Sequence, residues 1–296
     1  DMTVYHNSFP ANQMETWLAL YSHRFVNPVF RGFQSELEVV YEEYNMGADA
    51  FATSLFQEFQ KQLFKEHPYG KKTTIGTVEH LKNPSLTKMY EFFETYYVAN
   101  NMILVLSGNF DVAKTKEFIE AKFSKLRTGE VPNFTAPKEK PFNGREPFEV
   151  KLSPIKIGGL GFRTVPVGHE DNLKLKIINN LLNNPSASGL LDQLTVNNDL
   201  LAAQVLPLPF QDEGACIMLF IPKIVGQKRE EAEKMVVGQI RKLHKGEFED
   251  WMLESAKNNL YIEEQKKIES KTNIALELIS AEMQGIELSS VFNTAE

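Results

Sequence analysis

Phe33-Gln34-Ser35-Glu36-Leu37-Glu38-Val39-Val40-Tyr41-Glu42-Glu43-Tyr44 is the stretch around which the rest of the chain is read. On a helix, residues three, four and seven apart share a face. One stripe then carries Phe33, Glu36, Val39, Val40, Glu43 and Met46. Two carboxylates fall on that apolar stripe, two turns apart, whereas Glu38 and Glu42 fall on faces expected to meet solvent. A carboxylate on a core face is costly unless it is paired, hydrogen-bonded or bound to a metal. Periodicity leaves two readings open. Either Glu36 and Glu43 meet Arg or Lys partners or the helix margin, or they form a metal ligand with a supporting carboxylate.

Outward from this stretch, the pattern predicts helix from Phe33 to about Glu66, stopped by His67-Pro68-Tyr69-Gly70. An amphipathic helix precedes it, started by Pro10-Ala11-Asn12 and carrying Met14, Trp17, Leu18 and Tyr21 at helical spacing. A helix is expected from Asn83, as its cap, to Val98. Met102–Gly108 reads as a short buried strand, and Asp111 caps a helix reaching Leu126. Residues 128–147 are punctuated by Gly129, Pro132, Pro137, Pro141, Gly144 and Pro147, and read as a linker. Beyond it, strands are expected at Phe148–Leu152 and Lys156–Phe162. Helices follow at 170–183 and 189–197, then a hairpin of Leu200–Leu208 with Ala215–Ile221. Helices at 227–244, 248–267 and 272–284 complete the chain. Strand, helix and a helix-rich tail thus occur on both sides of the linker. That points to an α+β fold of two related domains, each a mainly antiparallel sheet packed against helices. The expected division is 1–127, linker 128–147, and 148–296.

Composition limits the function. The 296 residues are 42% apolar and 24% charged, with net charge −7. That is globular composition, and the acidic balance argues against nucleic acid or an anionic membrane as the main partner. No apolar run is long enough to span a bilayer. The single cysteine, Cys216, lies in an apolar run and reads as a small buried hydrophobe. It excludes an internal disulfide and a thiolate-rich zinc cluster, and leaves the compartment open.

The stretch Glu36-x-x-Val39-Val40-x-x-Glu43 resembles the second metal motif of the pitrilysin/insulinase-like zinc peptidases, the inverted zincins. Further pieces follow the same family pattern in the same order. They are Asp1-x-Thr3-x-Tyr5, His67-Pro68-Tyr69-Gly70, Ile75-Gly76, Tyr97 to Asn101, and Leu104–Asp111. Residues 148–296 resemble the family's second domain more loosely, with Gly189–Leu194 near its usual Ser-Arg-Leu helix. In that family a helix carries H-x-x-E-H, whose histidines bind Zn²⁺ and whose Glu activates water. The resemblance implies that Glu43 is the third zinc ligand and that Glu36 supports the site. It implies peptide substrates, and a second homologous half or subunit that closes a clamshell.

This sequence contains no H-x-x-E-H. His6, His23, His67, His80, His169 and His244 include no pair four apart. The resemblance places that motif upstream of Asp1 and places a closing helix beyond Glu296. The expectation is therefore one zinc ligand of three, no general base, no tightly bound zinc, and no peptide hydrolysis by this chain alone. The alternative is a non-catalytic half that closes a peptide-binding chamber.

The remaining signals have plainer readings. His67 is expected to serve the H-P-Y-G turn. Gly158-Gly159-x-Gly161 sits inside a strand-like run, which suits close backbone approach rather than a phosphate cradle. The run Lys228–Lys234 reads as a solvated helix face. Phe92, Phe93, Tyr96 and Tyr97 read as core.

Overall fold

A computed structural model describes residues 2–152 and 155–292. In chain order its helices are α1 (Met14–Val26), α2 (Phe33–Asp49), α3 (Phe51–Leu63), α4 (Pro68–Lys71), α5 (Val78–Lys82), α6 (Leu86–Tyr96), α7 (Val112–Phe123), α8 (Asn172–Leu182), α9 (Leu190–Val196), α10 (Arg229–Lys245), α11 (Asp250–Glu269) and α12 (Lys271–Met283). The strands are β1 (Gly158–Thr164), β2 (Ala202–Leu208) and β3 (Gly214–Ile221). The result is an α+β protein with an antiparallel sheet. Residues 1–44, 75–135 and 269–280 form one compact unit, and residues 45–74, 136–268 and 281–296 form another.

The second unit is built on β3. The sheet order is β1-β3-β2, with both outer strands antiparallel to the centre. Leu160 and Val205 flank Met218 from either side. Cys216, Met218 and Phe220 face one core with Leu181, Leu191, Leu194 and Val236. Ala215 and Ile217 face the other, with Phe59, Leu63 and Phe64 of the α3 segment. A strand covered on both faces reads as a continuous apolar run, which is why Ala215–Ile221 stands out in the sequence.

The glycines of β1 permit close packing. A Cβ on Gly158 would lie 2.2 Å from the Phe220 ring, and one on Gly159 would lie 2.4 Å from Phe59. The close-approach reading of this run agrees with the structure, and α3 lies against the space that absent side chains leave.

In the first unit, α1 packs on α7. Its core is largely aromatic: Trp17 stacks on Phe9 and Tyr21, and Tyr97 stacks on Phe93 and Phe25. The hydroxyls of Tyr5 and Tyr97 share a 2.9 Å hydrogen bond, and burial pushes the Tyr5 phenol up to about 12. Phe93 belongs to this core, but Phe92, expected beside it, is 56% exposed.

Four local expectations are corrected. The helix of residues 33–66 is two helices, broken where Ala50 adopts extended backbone as the N-cap of α3. Gly47, just upstream, weakens the helical preference there. The cap of α6 is Ser85, whose hydroxyl accepts from Lys88 N–H, rather than Asn83. Residues 102–108 form no strand, and neither do 148–152. Their apolar content favours strand, but a strand exists only with a ladder partner, and no strand pairs with either segment among the described residues. Asp111 does cap its helix, accepting from Lys114 N–H at 2.9 Å.

Candidate functional site

The α2 carboxylates are exposed. Glu36 and Glu43 both face solvent, beside Val39 at 51% and Met46 at 74% exposure. Only Phe33 and Val40 of the expected stripe are half-buried. This corrects the inward-facing stripe. Periodicity shows that one face of a helix is apolar but not what covers it, and no element packs extensively on α2 among the described residues. An open groove of about 680 Å³ beside α2 is lined instead by Leu37, Glu38, Val39, Tyr41, Glu42 and Lys82, among others. Glu38 and Glu42, expected merely to be solvated, are thus the carboxylates at the concavity.

Zinc needs three protein donors and an open position in a hydrolytic site. Among the described residues no three His, Cys, Asp or Glu side chains come together. The described residues by themselves therefore do not offer that donor set.

The H-P-Y-G turn is the best-defined polar cluster of the second unit. His67 is 3% exposed. Its Nδ1 accepts Tyr69 N–H at 3.2 Å, capping α4, and its Nε2 reaches Asp212 Oδ2 at 3.2 Å. The Tyr69 hydroxyl donates to the same oxygen at 3.3 Å and accepts Asp212 N–H at 3.2 Å. Burial raises the Tyr69 phenol above its ordinary value. Gly70 belongs to the motif because a Cβ there would lie 1.9 Å from the Phe64 carbonyl oxygen. The structural role expected of His67 matches this geometry.

Sequence reasoning missed the carboxylate behind the turn. Glu139, inside the expected linker, accepts Glu66 N–H at 2.6 Å and His67 N–H at 2.7 Å. Arg163 of β1 stands 3.8 Å from Glu139 and 3.5 Å from Glu213. Its guanidinium also donates to the Lys140 carbonyl at 2.5 Å and lies 4.1 Å over the Phe142 ring. A loop residue separated from its partners by some seventy positions leaves no local signal. Asp192 plays a comparable part in the Gly189–Leu194 segment, accepting from Asn183, Asn184 and Gly189.

His80 joins the cap of α5, accepting Thr77 N–H at 3.3 Å, and His169 accepts Asp171 N–H at 3.1 Å. His6, His23 and His244 are exposed. Cys216 is buried, as expected, and burial pushes its thiol up to about 11. Among the described residues no helix is long and apolar enough to cross a membrane.

A three-stranded antiparallel sheet clasped by helices, joined to a helical unit that carries Glu36 and Glu43, makes an α+β protein. Residues 84–260 match the family described as the peptidase M16 inactive domain, and the chain belongs to that family. The zinc protease PqqE of Helicobacter pylori is 26% identical over 252 residues, which cover 82% of this chain and 56% of that protein. The chain thus spans about half the length of this curated relative. A crystal structure of a protease from Helicobacter pylori superposes with TM-score 0.77 at 21% identity, covering 96% of this chain and 70% of that one. The peptidase M16 inactive domain from Pseudomonas fluorescens superposes with TM-score 0.75 at 16% identity, covering 96% and 68%. At such identities these structures establish the fold alone.

Proposed function

We propose that this chain is part of a zinc-dependent metalloendopeptidase and is inactive alone. The observation that carries the reading is the ordered pattern from Glu36-x-x-Val39-Val40-x-x-Glu43 to Asp111, overlapping a family match that covers 84–260. In this reading residues 1–127 are the remnant of a peptidase-like domain and 148–296 are a second family domain. Glu43 supplies one zinc ligand, Glu36 supports it, and the histidines and general base come from outside the described residues. Bound zinc would polarise a water for attack on a peptide carbonyl. The partners are peptide substrates and a second homologous half or subunit that closes the chamber.

A second reading, a non-catalytic half that closes such a chamber as a scaffold, is favoured by one observation. The matching family model is that of the inactive domain. The encoded sequence upstream of Asp1 separates the two. An intact H-x-x-E-H supports the enzyme, and a degraded one supports the scaffold. In the full-length gene product, the enzyme reading requires zinc content and peptide hydrolysis to fall together in Glu43→Gln. Unchanged zinc and rate would remove Glu43 from the metal site.

A further inference from the structure

Residues 136–147 are fastened to the rest of their unit at short intervals. Glu139 accepts the N–H groups of Glu66 and His67. The Phe142 ring lies 4.1 Å from the Arg163 guanidinium. Arg145 meets both carboxylate oxygens of Glu233 on α10, at 2.5 and 2.8 Å, and Glu146 pairs with Lys65. The hydrogen bonds from Arg145 hold the Glu233 carboxyl below the usual carboxylate range.

Between Phe142 and Arg145 stands Asn143-Gly144, the one Asn-Gly pair in the chain. Both residues are exposed. Gly144 has φ +83°, and a Cβ built there would meet nothing within 4 Å. Among the described residues neither the Asn143 side chain nor the Gly144 N–H has a hydrogen-bond partner. A side-chain amide followed by glycine is open to attack by the next backbone nitrogen, because no Cβ crowds the approach and the chain turns freely. The chain's one Asn-Ser pair, Asn7-Ser8, is placed differently. The Asn7 side-chain oxygen accepts from the Tyr21 hydroxyl and from Trp17 Nε1, so that amide is held in place.

We propose that Asn143-Gly144 is a self-modification site, where Asn143 converts to isoaspartate and aspartate and thereby loosens residues 136–147 from α10. The Gly144 nitrogen gives its proton to solvent and bonds to Cγ of Asn143. The side-chain nitrogen takes up a proton and leaves as ammonia, which closes a cyclic imide. Water then adds to one of the two ring carbonyls and breaks its bond to nitrogen. Opening at Cγ leaves aspartate in an ordinary chain. Opening at the backbone carbonyl leaves isoaspartate, with the main chain routed through the side chain and one methylene longer. The balance is one water consumed and one ammonia released, with no oxidation or reduction. Either product sets a new carboxylate two residues from Arg145, where it competes with Glu233 for the guanidinium. Isoaspartate also lengthens the backbone between Phe142 and Arg145, which are both seated on fixed partners.

Ageing the full chain at neutral pH tests this by peptide mapping, by enzymatic methylation of isoaspartyl groups and by limited proteolysis. The fragment holding Asn143 should be the first to gain the mass of an amide-to-acid change, as two chromatographically separate products. Methyl acceptance should rise with age, and Asn143→Gln should remove that rise. Cleavage within 136–147 should quicken several-fold in the aged parent and stay constant in aged Asn143→Gln. Asn143 left intact over a period in which the urea-unfolded chain converts overturns the proposal. So does conversion of Asn7 at the rate of Asn143, or aspartate as the sole product. An aged, converted chain that is cut no faster than the fresh one overturns the loosening of 136–147.

Discussion

His67 Nε2 lies 3.2 Å from Asp212 Oδ2, although the two residues are 145 positions apart. Because Nδ1 already accepts Tyr69 N–H, Nε2 carries the hydrogen and donates to the carboxylate. Both ring nitrogens are thus committed within the fold, which leaves no lone pair for a metal. Replacing His67 by Ala removes the α4 cap and leaves polar groups unpaired around a buried site. The expected cost is about 2 kcal/mol in urea unfolding. Asp212→Ala should cost less, because Asp212 is 52% exposed and water replaces it. Equal costs for the two would contradict the assignment.

Glu139 is the anchor beneath the same turn. Its carboxylate is 3% exposed and takes two backbone N–H groups, with Arg163 alongside. Removing it strands both donors and a largely buried guanidinium, so Glu139→Ala should destabilise by about 3 kcal/mol. Limited proteolysis should then cut within 136–147, a stretch otherwise tied to the unit. If cutting there is unchanged while the chain stays folded, the anchoring role fails.

Packing against β1 gives a test of a different kind. Gly159→Ala places a methyl 2.4 Å from the Phe59 ring and should cost about 1–3 kcal/mol. Phe59→Leu leaves a cavity on its own, but joined to Gly159→Ala it makes room for the new methyl. The double variant should therefore be more stable than the sum of the two losses predicts, a coupling that a double-mutant cycle reads directly. Strict additivity would mean that the two positions do not touch.

These cases show where the sequence was legible. The hairpin of β2 and β3, the helices from α8 to α12 and the tight glycines of β1 follow from local pattern, because each is dictated by a period or a missing side chain. The Asp111 cap is local too. What failed was contact across distance. The exposed flank of α2 and the unpaired residues 102–108 depend on which element covers them. Glu139 and Asp212 depend on chain segments meeting, which no spacing rule encodes. The two compact units are themselves assembled from interleaved stretches, with residues 45–74 joining the later half.

Cys216 gives the pH dependence. Burial raises its thiol from 9.0 to about 11, so the unfolded chain loses that proton first as the pH climbs. The stabilisation is complete below about pH 9 and disappears as the pH passes through 11. It amounts to about 3 kcal/mol across that window. Denaturant midpoints measured from pH 8 upward should fall more steeply for the parent chain than for Cys216→Ala. The Tyr5 phenol, pushed up to about 12, adds its own loss in both proteins and cancels in the comparison. Parallel slopes would show that the thiol is not buried in solution.

Glu36 and Glu43 are separated by seven residues, about 10 Å along the axis of α2, and nearly two full turns bring them to the same side. A ligand and a supporting carboxylate at that spacing have different signatures in the full-length gene product. A direct ligand controls occupancy, so Glu43→Gln should lower zinc content and rate in parallel. A supporting group orients what the ligand holds, so Glu36→Gln should lower the rate by about 10–100-fold and the zinc content by less. Metal content by elemental analysis, beside peptide hydrolysis at saturating zinc, separates the two. Added zinc should restore part of the Glu43→Gln rate, but none of the Glu36→Gln rate, because orientation is not a matter of occupancy. If zinc content and rate are indifferent to both changes, the carboxylates of α2 are surface charge, and the scaffold reading stands in their place.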